Sequence, residues 1–238
     1  AYAHAVKRFL EFCHSRGIRA LNQITPVIVA AFVEGDPGSA PTKKLHLAAL
    51  RHFFDYLVTG QIIPVSPASS VRGPAYSIVE GVTPAFGIEQ VRRLLGSVDT
   101  TNVVGLRDRA ILAILIYTAC RVGAVSKLRV KHFAPEASQW ILHLHEKRSK
   151  FRKIPVRADL QAILEGYIAA ARIRPEEKDA PLFRSAVRKT RVLTTRAISP
   201  KDILRMVKRR LKDAGLPPNF SCHSFRATTL TDLLEQGI

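Results

Sequence analysis

Apolar residues recur at helical spacing through the first part of the chain. Val6 and Phe9 lie on one face of a predicted first helix, because residues three or four apart share a face of an α-helix. Thr25 followed by Pro26 is typical of a helix start. Helices are predicted over residues 2–16, 26–34 and 42–58. No strand pattern interrupts them, so residues 1–62 are predicted to form a small helical bundle.

Residues 63–84 are rich in proline, glycine and serine and are predicted to form a linker. The region after it carries a buried apolar run over 110–120. Two alternating stretches, 140–145 and 152–156, predict an antiparallel pair of strands joined by a basic turn. Helices are predicted over residues 88–95, 106–118, 158–171, 200–214 and 223–235. The sequence therefore predicts a mainly α fold with a small antiparallel sheet (α+β), its second domain spanning residues 85–238.

The balance of charge is strongly positive. The 238 residues carry a formal net charge of +18, and 47% of them are hydrophobic, which is enough for a folded core. A soluble fold does not need so much self-repulsion, and a polyanionic partner would relieve it. A nucleic acid is therefore the expected partner. The alternatives are a solvated basic surface, a ribosomal protein and a membrane-surface protein.

The cysteines and the apolar runs bear on where the protein acts. Cys13, Cys120 and Cys222 are widely spaced and form no CxxC pair. This argues against a disulfide framework or a zinc ribbon and favours a reducing cytoplasm. No apolar run reaches the ~18 residues that a membrane helix needs. A cytoplasmic protein with no membrane partner is expected.

Three residues are candidates to hold one anion. His223 and Arg226 are three apart on a predicted helix and so point to one face, although such pairs are commonly plain surface pairs. Arg121 directly follows the buried apolar run, where a charge is costly unless something pairs with it. No acid follows closely, because the position that would hold one is Ala124. The alternative for Arg121 is a structural arginine that caps carbonyl groups.

The turn between the two predicted strands is strongly basic. Its residues are Lys147, Arg148, Ser149, Lys150, Phe151, Arg152 and Lys153. A basic hairpin tip can enter a groove beside a phosphate, and a lysine there can shift its pKa and donate a proton, which arginine does poorly. Taken alone, such a turn is usually a solvated loop.

Placed in order, these features resemble the tyrosine recombinase (phage integrase) family. The resemblance rests on Arg121-Val122-Gly123 after a buried helix, on the lysine-bearing hairpin, and on His223-x-x-Arg226-Ala227-Thr228. Supporting matches are Leu106-Arg107-Asp108-Arg109-Ala110, Leu128-Arg129 and Lys147-x-x-Lys150-x-Arg152-x-x-Pro155. The N-terminal bundle looks like that family's core-binding (SAM-like) domain, and residues 85–238 look like its catalytic domain.

The resemblance implies a role for each matched residue. Arg121 and Arg226 would clamp the non-bridging oxygens of the scissile phosphate, a task that suits bidentate guanidinium groups. Lys147 would be the general acid for the departing 5′-oxygen, with Lys150 as the second choice. His223 would assist proton transfer from the nucleophile. Cleavage would pass through a covalent 3′-phosphotyrosyl intermediate that conserves the bond energy, so no metal, ATP or other cofactor is expected.

Two features depart from the family pattern. The family usually carries an acid three residues after the first arginine, where this sequence has Ala124, so the orientation of Arg121 is expected to come from elsewhere. The family's nucleophilic tyrosine lies downstream of the HxxR helix, beyond Ile238, and none of the five tyrosines matches its motif. The chain as it stands is therefore expected not to cleave DNA.

Further basic residues are expected to contact the DNA backbone and to add affinity without sequence choice. They are Lys43, Lys44, Arg51, Arg148, Lys150, Arg152, Arg205, Lys208, Arg209 and Lys212. The expected partner is double-stranded DNA in a prokaryotic-type nucleoid, and the resemblance also implies a homo-oligomer, a tetramer, on DNA. The alternatives are a module that binds DNA without cleaving it and a type IB topoisomerase-like enzyme. The helical bundle favours recombination over relaxation.

Overall fold

The computed structural model describes residues 2–77, 83–146, 150–188 and 190–235, and the side chains of the last helix as far as Thr229. The chain folds as two compact units, residues 1–80 and 81–238. Both are mainly helical, and the second also holds two small antiparallel sheets. The prediction of a mainly α fold with a small antiparallel sheet is confirmed.

The first unit is a helical bundle. Its helices are α1 (Tyr2–Ser15), α2 (Pro26–Gly35) and α3 (Ala40–Thr59). Phe9, Phe32 and Phe54 lie at its centre and are buried. The ring centroid of Phe9 lies 5.3 Å from that of Phe32 and 5.9 Å from that of Phe54, both edge to face, a geometry that adds to the apolar burial. The helical spacing of apolar residues thus predicts these helices close to their observed ends.

The first part of the predicted linker packs on the bundle. Ala68 and Val71 are buried in the core of the first unit. Arg51 of α3 donates hydrogen bonds to their carbonyl oxygens, from Nε to Ala68 at 3.3 Å and from Nη2 to Val71 at 2.5 Å. Apolar burial and these hydrogen bonds fix a segment whose proline and glycine content alone favours a free linker. Residues 78–82 of that segment lie outside the described residues.

A buried carboxylate connects the helices of the first unit. Asp36 Oδ2 lies 2.5 Å from His46 Nδ1 and 3.4 Å from Arg8 Nη1, and Gly38 N donates to its Oδ1 at 2.8 Å. Burial alone would raise the pKa of Asp36, but the hydrogen bonds from Gly38 and His46 and the charge of Arg8 outweigh it and lower that pKa. The ionised carboxylate is therefore the form that stabilises the fold.

Asp36→Asn is expected to lower the free energy of unfolding of the first unit by about 1–3 kcal/mol at neutral pH, because buried donors lose their charged acceptor. In the wild type this stabilisation is complete above the unfolded-state pKa and is lost as the pH falls through the lowered folded-state pKa. The variant should lack that part of the acid dependence. Urea unfolding, followed by the NMR signals of the α3 amides at several pH values, measures both effects. Unchanged stability and unchanged pH dependence would contradict the stabilising role of the ionised Asp36 carboxylate.

The second unit is built around α5 (Val103–Thr118), in which residues 110–115 are completely buried. The longer helices that pack against α5 include α4 (Ile88–Gly96), α7 (Ala158–Ala170) and α9 (Cys222–Glu235). A further helix, α8 (Pro200–Asp213), begins as the sequence predicts, with the Ser199 side chain accepting a hydrogen bond from Asp202 N at 3.1 Å. Gly215 follows its end with a φ of +64°, a conformation that glycine adopts without strain.

The described part of the second unit also holds two sheets. The first has the order β1 (Phe133–Glu136), β2 (Gln139–His145), β3 (Phe151–Pro155), and the second pairs β4 (Arg184–Ala186) with β5 (Leu193–Ala197). β2 and β3 are the predicted antiparallel pair, with Leu142 opposite Ile154. The sequence predicts neither β1 nor the second sheet, because these strands are only three to five residues long and Pro135 breaks the alternation in β1.

Candidate active site

Arg121 lies at the turn that follows the buried helix α5. Ala119 has a left-handed backbone with a φ of +50°, which costs a non-glycine residue about 1 kcal/mol. The short helix α6 (Val122–Val125) begins directly after Arg121, which is its N-cap residue. The turn brings Arg121 out of the core, so that its side chain is half exposed.

Glu146 is the acid that pairs with Arg121. It directly follows β2, and its side chain is only 6% exposed. Arg121 Nη1 donates to Glu146 Oε2 at 2.8 Å, and Arg152 Nη1 donates to Oε1 at 3.3 Å. A buried carboxylate is costly without such partners, so Glu146 and these arginines stabilise one another. The acid that pairs with Arg121 thus follows β2 and does not come from position 124.

Arg226 and His223 lie one turn apart on α9. Arg226 Nη1 lies 4.0 Å from Glu146 Oε1 and donates a hydrogen bond to the carbonyl oxygen of Ala119. Arg121 and Arg226 thus approach the same carboxylate. His223 is exposed, and its spacing of three residues puts it on the same face of α9 as Arg226.

The tip of the β2–β3 hairpin is described only in part. Lys147 and Arg148, predicted as the general acid and as a DNA contact, lie outside the described residues. Lys150 is exposed, and its carbonyl oxygen accepts a hydrogen bond from Glu146 N at 2.8 Å. Arg152, predicted as a DNA contact, is engaged by Glu146 through Nη1. One guanidinium nitrogen of Arg152 is therefore already hydrogen-bonded within the site.

Two cysteines next to the site residues are buried and uncharged. Burial raises the pKa of Cys120 to about 11 and that of Cys222 to about 11. Both thiols are therefore protonated at neutral pH, and they pack as small apolar groups. Neither thiol is a candidate nucleophile.

Most of the remaining predicted DNA contacts have partners within their own unit. Lys43, Lys44 and Lys208 donate to backbone carbonyl oxygens, Arg205 and Arg209 donate to aspartate carboxylates, and Arg51 holds the segment after α3. Lys212 of α8 is exposed and has no partner among the residues that the structure describes. Lys212 remains a predicted DNA contact.

Sequence reasoning missed Glu146. Its partner Arg121 is 25 residues away along the chain, and only the packing of β2 beside the α5–α6 turn brings the two together. A usable signal was present, because Glu146 is the only acid between Glu136 and Asp159, in a stretch that is otherwise basic. A lone acid in a basic turn, combined with Ala124, points to a relocated partner for Arg121.

Comparison with known protein families identifies the class of protein that has these two units. Residues 86–238 match the Phage integrase family, and residues 1–61 match the Phage integrase N-terminal SAM-like domain. The chain belongs to the phage integrase family. The resemblance that the motifs indicate is thereby confirmed.

Alignments with curated relatives cover most of the chain. Tyrosine recombinase XerC of Myxococcus xanthus is 30% identical over 193 residues, which cover 80% of this chain and 62% of that protein. Tyrosine recombinase XerD of Listeria monocytogenes is 27% identical, with 87% of this chain and 67% of that protein covered. The chain thus spans less than two thirds of the length of the Myxococcus relative.

Solved structures share the fold. XerH site-specific recombinase bound to its palindromic difH substrate, a post-cleavage complex, aligns with 99% of this chain and 68% of its own, with a TM-score of 0.77 and 22% identity. A lambda integrase dimer bound to a COC′ core site aligns with 100% of this chain and 82% of its own, with a TM-score of 0.69 and 18% identity. At these identities the similarity is one of fold.

Membrane helices and metal clusters are both absent from the described part of the chain. No helix there is long and apolar enough to cross a membrane. Within the same residues, no group of three or more His, Cys, Asp or Glu side chains is placed to hold a metal ion.

Proposed function

We propose that the protein is a site-specific DNA recombinase of the tyrosine type, which cleaves and rejoins strands through a 3′-phosphotyrosyl intermediate. The approach of Arg121 and Arg226 to one point at Glu146, with His223 one turn from Arg226, carries this proposal. Two guanidinium groups at one point suit the two non-bridging oxygens of a phosphodiester. The relatives named tyrosine recombinases support it further.

Each residue of the site takes one part in the proposed reaction. Arg121 and Arg226 hold the scissile phosphate and stabilise the charge that builds on its oxygens in the transition state. His223 assists removal of the proton from the attacking tyrosine, which by the family pattern lies downstream of α9. Lys147, or Lys150 as the second candidate, protonates the 5′-oxygen as its bond to phosphorus breaks. Attack by a 5′-hydroxyl of the partner strand reverses the step and rejoins the DNA.

The basic surface is proposed to bind double-stranded DNA, with the bundle of residues 1–62 and the catalytic domain of residues 85–238 both in contact with it. Assembly of several copies on DNA is part of the proposal. A lambda integrase tetramer bound to a Holliday junction shares this fold, with a TM-score of 0.68, and this supports a tetramer for the full-length protein.

The test is covalent capture. The full-length protein is incubated with a library of nicked duplexes of randomised sequence, in which the nick lets the short cleaved strand diffuse away. A protein–DNA adduct that survives denaturing electrophoresis is expected. A gel shift of the duplex without any covalent adduct would contradict the proposal of a recombinase. It would favour a module that binds DNA without cleaving it.

Duplex affinity is expected to fall by about 10³-fold or more between roughly 50 and 200 mM salt, because bound phosphates release counterions. Lys212→Ala should reduce the slope of log affinity against log salt by about 1. Lys131→Ala is the matched control, because Lys131 is already paired with Asp179 at 2.7 Å and its loss should change the slope less. Fluorescence anisotropy with a labelled duplex measures all three proteins; equal slopes for both variants would contradict the assignment of Lys212.

A further inference from the structure

Glu146 is the charged side chain around which the two arginines of the site are arranged. We infer that Glu146 is a positioning residue for the phosphate clamp and that it takes the place of the acid absent at position 124. The inference rests on the proposed function, because a fixed orientation of Arg121 and Arg226 matters most if both must hold one phosphate during cleavage.

The carboxylate lies behind the arginines and not in front of them. The side chain of Glu146 is 6% exposed, whereas those of Arg121 and Arg226 are 50% and 28% exposed. Glu146 meets Arg121 through Nη1, and no other acceptor for Arg121 lies among the described residues. Nε and Nη2 therefore present a two-donor edge of the kind that binds a phosphate in bidentate fashion.

The cluster of Glu146 and its three arginines carries more positive than negative charge, which favours binding of an anion. Arg152 also donates to Glu146, so three guanidinium groups surround one carboxylate. Arginine stays charged at all accessible pH values, and the cluster therefore keeps a surplus of positive charge when Glu146 is ionised. A phosphodiester can enter without displacing the carboxylate.

Position 124 is where a local acid would otherwise act. Ala124 is the third residue of α6, whose N-cap is Arg121, and an acidic side chain at that position reaches back toward the N-cap residue. Ala124 lines a cavity of ≈ 590 Å³ that also touches His145, the neighbour of Glu146 in the chain. Position 124 therefore carries no carboxylate for Arg121, and the acid that pairs with Arg121 is Glu146, which follows β2.

The experiment measures single-turnover cleavage by the full-length protein on a nicked duplex recovered from the covalent-capture library. Glu146→Gln keeps the size and one oxygen of the side chain but removes its charge. We expect the cleavage rate to fall about 10- to 100-fold, because a small misplacement of a positioned group has an effect of this size. Duplex affinity should be equal or higher, since the site gains net positive charge.

Rescue separates positioning from general support of the fold. Adding Ala124→Glu to Glu146→Gln should restore at least part of the lost rate, because the clamp regains an acid beside Arg121. Glu136→Gln is the matched control: Glu136 pairs with Lys153 and His143 on the same sheet, at 3.0 and 2.7 Å, and its variant should cleave at the wild-type rate. If Glu146→Gln melts far below the wild type, Glu146→Asp replaces it, with a slower rate again expected.

If the wild type cleaves and Glu146→Gln cleaves at the same rate, the inference about Glu146 is overturned while the proposed function stands. A reduced rate that Ala124→Glu does not improve would overturn the claim that Glu146 replaces an acid at position 124. Absence of any adduct with the wild type would overturn the proposed function, and the inference would fall with it.

Discussion

Arg121→Ala and Arg226→Ala are each expected to slow formation of the protein–DNA adduct by about 10²- to 10³-fold, the usual loss when one preorganised donor to a transition-state oxyanion is removed. In the proposed clamp the two arginines, which approach the same buried carboxylate, each hold one non-bridging oxygen, so the loss of either removes one of the two contacts. The lysine variants should recover only part of the rate, because an ammonium group keeps the charge but not the two-donor edge.

The measurement is single-turnover cleavage by the full-length protein, with melting temperatures recorded for every variant. Arg129→Ala is the matched control, because Arg129 is exposed and pairs with Asp179 outside the site. It should leave the rate unchanged. Full-rate adduct formation in either Arg121→Ala or Arg226→Ala would contradict the clamp.

Asp108→Ala is expected to destabilise the second unit by about 3–5 kcal/mol, the effect of removing one partner from a buried ion cluster. Asp108 on α5 is completely buried. Its Oδ1 lies 2.7 Å from Arg107 Nη2, and its Oδ2 lies 2.7 Å from Arg210 Nη2 and 3.2 Å from Arg209 Nη2. Without the carboxylate, Arg107 would stay buried with no counter-charge, and Arg210 would keep only its exposed partner Asp213.

Asp213→Ala is the control for this loss, because Asp213 is an exposed partner of Arg210 at 3.5 Å, and exposed pairs contribute about 0–1 kcal/mol. Urea unfolding can be followed by the fluorescence of Trp140, which stacks on Phe133 in the same unit at 4.4 Å. A loss in Asp108→Ala no larger than that in Asp213→Ala would show that the cluster does not hold α5 and α8 together.

Local patterns in the sequence predict the helices well, and they do so for physical reasons. The period of apolar residues defines α1 and α3, the continuous apolar run defines α5, and the Ser199 cap is the hydrogen-bonded cap of α8. The short strands β1, β4 and β5 escape prediction because tertiary pairing, and not local alternation, holds them in place. Burial of Ala68 and Val71 likewise depends on contacts with α3 that no local pattern contains.

The same division applies to the site. Short motifs predict Arg121, His223 and Arg226, since each motif lies within one turn or one helix. Glu146 is not, because its role depends on contacts 25 residues away. Asp108 lies in a stretch that matches the family, but its pairing with Arg209 and Arg210 about a hundred residues later is visible only in the fold. Lys147 remains a prediction.

The chemistry at the cleaved ends tests the central claim most directly. The full-length protein is incubated with the nicked duplex in EDTA, and the products are digested and analysed by mass spectrometry. We predict a tyrosine-containing peptide linked to a 3′-phosphate and a free 5′-hydroxyl on the other strand end, with no divalent metal required. Cleavage that needs added metal and leaves no protein bound to DNA would contradict the proposal that Arg121 and Arg226 clamp a phosphate for a tyrosine nucleophile.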